Sequence, residues 1–407
     1  LSKKGKFVLP VKKMTYWSKF GATIKSGKSN NFYSIRFPAN QTIKTGEQLY
    51  RMSKARNYNE YWDAIRTHAI TLFNIVYADK DDNIFYIHHG MMPDRDTTID
   101  WSKMQPGNSS KLLWTKLIPL DSMPKTINPS CGYVFNTNNT PFHASGDDCL
   151  EHGYCYTSRK LMDERPGDNN RAQRFTELIS AKSKFSLSDI KDLKFDIKFS
   201  TKGTFANSVK PLFELDENKY PDLKEAIAML KTWNRSTGIH EYAPTLFGLS
   251  LNTIFKKYDF DDANFVTGFS ATEQEWADAL RANCDSLRKY YGSIKVEWGT
   301  VNRLKRGDKE LPLQGFPDVH SPSYPKRMAG GRFAFKVEHG DTYTMFAAFG
   351  KNGLESLSAL QPLGNSLNPQ SKHYTDQMEM FTKREMRLLS LKKEDVMRKA
   401  ESVYHPQ

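Results

Sequence analysis

The sequence predicts an α+β fold, with strand-forming segments towards both ends of the chain and helical patterns between them. Three stretches carry that expectation. Residues 7–50 alternate apolar and polar positions between turn signals. "LFNIVYADKDDNIFYIHHG", residues 72–90, sets two β-rich runs about a tight polar turn, the pattern of a hairpin. "TEQEWADALRANCDSLRKYYG" has helical periodicity over 272–291, with Thr272 and Glu275 in capping-box spacing and Gly292 just past the end.

The remaining elements follow in order. "SKARNYNEYWDAIRTH" predicts a helix over 54–68, with Ser53 as N-cap and Tyr58, Tyr61, Trp62 and Ile65 at helical spacing. From 91 to 171 periodicity vanishes while Pro, Gly, Asn and Asp accumulate, and a loop region of that length is either functional or holds elements the pattern does not assign. Helical patterns return at 171–181, 186–194 and 221–233, the last with Pro221 near its first turn. Residues 332–349 read as strand, and the basic run "KKEDVMRKA" closes the chain as a helix. No repeat or convincing linker divides the sequence, so a single domain over 1–407 is expected.

Composition narrows the function classes. With 38% hydrophobic and 13% aromatic residues the chain fills a sizeable core, and no apolar run is long enough to span a bilayer as a helix. The net charge of +13 raises the question of a nucleic-acid partner. The lysines are scattered, however, and short runs such as "RLKRGDK" lack an aromatic platform or recognition helix, so a solvated basic surface is the better reading. The first residues, "LSKKGKFVLP", carry no apolar core of a secretion signal. Of the four cysteines none has CxxC spacing; Cys149 and Cys155 fit a small disulfide and fit two free thiols.

No GxSxG, HExxH or P-loop pattern occurs, and no nucleophile is paired with a base. His88 and His89 are adjacent on a strand and face opposite ways, which argues against a shared metal. The chemistry-bearing stretch is "GYVFNTNNTPF", with Asn136, Asn138 and Asn139 between a Gly-aromatic entry and a Thr-Pro exit. An Asn amide is a neutral, directional donor suited to an oxyanion. By itself the cluster also fits an Asx-rich turn.

Its company decides between them. "LFNIVYADKDDNIFYIHHGMMPDRD", "LWTKLIPLDSMPKTINPSCGYVFNTNNTPF", "NNRAQRFTELI" and "LQPLGNSLNPQSKHYTDQMEMFTKREM", in this order, resemble the β-chain of the penicillin acylase family from about residue 11 to the end. That resemblance implies an N-terminal nucleophile hydrolase with an αββα sandwich and helical insertions, matured from a precursor by self-cleavage. Its substrate is a small N-acyl molecule such as a penicillin or an acyl-homoserine lactone. The attacking group is an N-terminal Ser whose own α-amine, titrating near working pH, serves as base. In "NTNNTP" the matched oxyanion donor is Asn138, with Asn136 and Asn139 shaping the loop. An Arg that holds this Asn is matched to Arg174, with Arg171 competing. A structural calcium site is matched to Asp148, or to Asp147, in "HASGDDC", where an ordinary loop carboxylate is the other reading. No other cofactor is implied.

Leu1 precedes Ser2 and the context does not match the family's opening, so the nucleophile is not assigned to Ser2. The resemblance places the nucleophile segment outside these 407 residues, in the remaining part of the same precursor, and the chain alone is expected to be inactive. The acyl pocket is expected to come largely from that segment too. Periplasmic or secreted localisation is the family's pattern. Two other classes stand beside the hydrolase: a noncatalytic scaffold that keeps the fold, and a basic nucleic-acid-associated protein.

Overall fold

The computed structural model describes residues 2–4, 7–9, 14–146, 168–260, 264–328 and 333–405. The chain divides into two compact units, Leu1–Asn136 with Pro141–Glu164, and Thr137–Thr140 with Arg165–Gln407. The sequence shows no linker at these boundaries because the chain passes from one unit to the other within the asparagine-rich stretch itself.

The first unit is built on the predicted hairpin. Leu72–Ala78 pairs antiparallel with Ile84–Gly90, which pairs on its other edge with Lys125–Ile127. Asp79 tightens the turn by accepting from the backbone N–H groups of Asp81 (2.9 Å) and Asn83 (3.1 Å). Phe85 and Ile87 on the central strand are fully buried with Ile65, Ile118 and Met123, and Trp62 meets Phe85 edge-on at 5.3 Å. A second antiparallel meander, Tyr16–Ser18, Gly21–Lys25 and Phe32–Ile35, occupies the expected strand region. The helix expected over 54–68 is instead two, Thr45–Lys54 and Tyr58–Ile65. Ser53 lies inside the first, its hydroxyl donating to the Leu49 carbonyl. The N-cap of the second is Asn57, whose side chain accepts from Glu60 N–H at 3.0 Å. The first helix escapes pattern reading because its one fully buried residue is polar: Gln48 accepts from the N–H groups of Ala69 (2.6 Å) and Ile70 (3.0 Å).

The second unit has a helical core. Ala243–Tyr258 runs through its centre, packed against Glu273–Tyr291 and Lys224–Lys231. This central helix is apolar nearly all round, so it has no stripe for periodicity to find. Gly248 is what allows its closest approach: a Cβ there would lie 2.6 Å from Cε2 of Phe316. Glu273–Tyr291 starts at the predicted Thr272–Glu275 capping box and stops at Gly292, whose φ is +75°. Ser186 and Asp189 form a second capping box at the start of Leu187–Lys194. A four-stranded sheet orders Lys309–Pro312, Asn302–Arg306, Phe335–Gly340 and Ser323–Arg327, the middle pair parallel. The expected 332–349 segment is two strands, Phe335–Gly340 and Thr344–Gly350, the latter hairpinned to Gly353–Leu360. Helices and sheets thus mix as an α+β chain requires.

Candidate functional site

The asparagine loop and the helix that follows it in space belong to the same unit. Asn139 is buried, and its Oδ1 accepts from Thr137 N–H (2.8 Å), while its Nδ2 donates to the Thr140 carbonyl (3.3 Å). This folds the backbone round Asn138, which sits in the left-handed region at φ +61°, a conformation Asn tolerates better than other residues with a Cβ. Asn138 is consequently exposed at the crest of the loop.

The loop is tied down by Asn169, N-cap of the Asn170–Ile179 helix. Its Oδ1 accepts from Ala172 N–H at 2.9 Å, and its Nδ2 donates to the Thr137 carbonyl at 2.7 Å. The next residue, Asn170, donates its N–H to Asp318 Oδ2 (2.8 Å) and its Nδ2 to the Asp318 carbonyl (2.7 Å). A carboxylate at a helix N-terminus also meets the positive end of the helix dipole. Arg171 completes the arrangement: its Nε donates to Asp318 Oδ1 at 2.8 Å, and its Nη2 donates to Asn138 Oδ1 at 3.2 Å.

A guanidinium only donates, so the Asn138 atom facing Arg171 is the carbonyl oxygen. Arg171 therefore fixes the oxygen of this amide and not its nitrogen. Asp318, Arg171 and Asn138 form one chain of charge-assisted contacts, with the carboxylate 4% and the guanidinium 19% exposed. Such a chain sets the rotation of an exposed amide before any ligand arrives, the preorganisation that anion stabilisation needs.

The structure brings Arg171, not Arg174, to Asn138, which corrects the sequence assignment of Arg174. Arg174 instead holds Asp196 through two bonds of 3.1 and 3.0 Å and Glu177 through one of 2.9 Å, fastening its helix to the segment that follows. Three residues apart on one helix, the two arginines lie on neighbouring faces, and sequence spacing does not separate them. Asp318 was missed altogether. It lies 147 positions from Arg171 in a turn where its own φ is +60°, and the only sequence hint is a Pro-Asp pair. Asp147 and Asp148, matched to calcium, lie outside the described residues, as do Cys149 and Cys155. Among the described residues no three His, Cys, Asp or Glu side chains converge into a metal-binding group. No helix there is long and apolar enough to cross a membrane.

His320, two positions beyond Asp318, is buried, and burial pushes its pKa down to about 4. A folded value below the unfolded one means that the unfolded chain binds the extra proton first. The stability contribution of neutral His320 is therefore present above about pH 6.5 and is lost as pH falls towards 4. Between pH 7 and 5 this amounts to about 2 kcal/mol. Denaturant unfolding of the His320→Asn variant at the two pH values is expected to show a smaller loss on acidification than the parent; an equal loss refutes the assignment.

These features define a class: an α+β chain presenting a preorganised side-chain amide. The penicillin amidase family model matches residues 3–398, and the chain belongs to that family. Penicillin G acylase of Escherichia coli is 40% identical over 88 residues, 22% of this chain and 10% of that protein. The acyl-homoserine lactone acylase PvdQ of Pseudomonas fluorescens (strain Pf0-1) is 21% identical over 441 residues, 98% of this chain and 55% of that protein. The chain thus spans about half the length of the PvdQ relative. The thermostable penicillin G acylase from Alcaligenes faecalis superposes with a TM-score of 0.61 at 18% identity, over 97% of this chain and 79% of that one. The fold is that of these N-terminal nucleophile hydrolases.

Proposed function

We propose that the chain forms the oxyanion-stabilising part of an amide hydrolase that removes the acyl group from a small N-acyl substrate, such as an acyl-homoserine lactone or a penicillin. The observation that carries the reading is the Asp318–Arg171–Asn138 chain, which fixes one amide oxygen and directs the remaining amide hydrogens elsewhere. In this reading an N-terminal Ser on the remaining part of the same precursor attacks the substrate carbonyl, its α-amine taking the hydroxyl proton. Asn138 Nδ2 then donates to the oxygen that becomes negative, the C–N bond breaks as the leaving nitrogen takes the proton held by the α-amine, and water then cleaves the acyl-serine ester, releasing the acid and restoring the Ser hydroxyl. Family membership supports the reaction class, and the PvdQ relative, with nearly half its length beyond the match, supports a further segment. The family's habit supports an exported compartment and a structural calcium ion at Asp148.

The test is reconstitution. The 407-residue chain alone is expected to leave a chromogenic acyl amide intact, and to turn it over once joined to the missing segment bearing a free N-terminal Ser. Turnover by the chain alone, abolished by Ser2→Ala, would overturn the proposal.

A further inference from the structure

Arg235 is half-buried and, among the described residues, has no counter-ion. In the second unit it lies in the turn after the Lys224–Lys231 helix at φ +66°, a conformation disfavoured for a residue with a Cβ. The turn is held on both sides: the Arg235 carbonyl accepts from Phe199 N–H at 3.1 Å, and Asn234 Oδ1 accepts from Ser236 N–H at 2.8 Å. The guanidinium carbon sits 3.1 Å from the centre of the Phe213 ring and 5.6 Å from that of Trp233. Among the described residues no carboxylate pairs with it and no acceptor takes its side-chain N–H groups. Burial lowers its pKa to about 10, with no acid to raise it.

A cavity of about 700 Å³, open mouth included, lies against this side chain. Phe199, Phe205, Phe213, Trp233 and Phe247 wall it, and Ser200 and Asn207 add polar edges. Its one carboxylate, Glu214, is engaged by Lys210 at 3.4 Å. The combination is an aromatic-walled chamber with polar edges and, among the described residues, one unanswered, bidentate cationic donor. A bare inorganic anion leaves the aromatic walls unused, and a neutral ring leaves the guanidinium unanswered.

We infer that this cavity is a binding site for an aromatic carboxylate, with the carboxylate on Arg235 and the ring among Phe199, Phe213 and Trp233. The site is separate from the Asp318–Arg171–Asn138 chain. It touches that chain's support through Ser200, whose N–H donates to Asn170 Oδ1 at 2.9 Å, and through Phe199 and Phe247, whose rings meet Phe316 at 5.5 and 5.7 Å.

Titration calorimetry of the full chain with benzoate, benzamide and acetate tests the inference. Benzoate is expected to bind saturably at one site, with benzamide and acetate at least about tenfold weaker, the loss that follows removal of a charge-assisted pair or of the ring's buried area. Arg235→Gln is expected to bring benzoate down to the level of benzamide, with an unchanged circular dichroism spectrum. Where that variant fails to fold, Ala206→Trp, which fills the chamber and keeps Arg235, is expected to abolish benzoate binding. No saturable benzoate binding, equal binding of benzoate and benzamide by the parent, or undiminished binding by a folded variant would each overturn it.

Discussion

Replacing Asn138 with Ala in the complete, processed protein is expected to lower kcat by about 10²- to 10³-fold, roughly 2.7 to 4 kcal/mol of transition-state stabilisation. KM is expected to stay within a few-fold, because the amide donates chiefly to the oxygen that becomes charged. The backbone complicates this substitution, since Ala is strained at the φ of +61° that Asn138 adopts. Asn138→Gly separates the two effects: it relieves the strain and still lacks the donor. Loss of kcat by the same factor in both variants, measured with one chromogenic amide, assigns the loss to the donor. Normal kcat in the Gly variant would reduce the asparagine cluster to a turn.

Asp318→Ala is expected to cost about 3–5 kcal/mol of stability, because it leaves the largely buried Arg171 guanidinium without its carboxylate. It also strips the acceptor from Asn170 N–H at the start of the helix. Activity is expected to fall further than the unfolded fraction explains, since Arg171 then no longer fixes the Asn138 oxygen. Arg171→Met removes the guanidinium but leaves the Asp318 carboxylate its bond from Asn170 N–H at the positive end of the helix, so it is expected to be less destabilising than Asp318→Ala, while still lowering kcat. Comparing unfolding midpoints with kcat at a temperature where both variants are folded checks this. An Asp318→Ala protein with parental stability and kcat would remove Asp318 from the site.

The parts of this molecule legible in its sequence are those whose cause is local. The capping box at Thr272, the helix over 186–194 and the 72–90 hairpin depend on residues within a few positions of one another. The asparagine motif was legible for the same reason, and only its resemblance to a family raised it above a turn. Illegible were the elements whose cause lies far along the chain. The Thr45–Lys54 helix is organised by Gln48 reaching the backbone of Ala69 and Ile70, so its buried position carries no apolar signal. The choice between Arg171 and Arg174 is made by Asp318 and Asp196, whose placement neither arginine's surroundings announce.

Gly248 shows what this architecture costs in tolerance to change. Its missing side chain lets Phe316 lie against the central helix, and Phe316 stands two residues before the carboxylate that orients the site. Enlarging position 248 pushes on Phe316, and close-packed interiors pass on such displacement instead of absorbing it. A larger side chain at position 248 is therefore expected to disturb the Asp318 turn and, through Arg171, the crest of the asparagine loop, although Gly248 lies in the helical core.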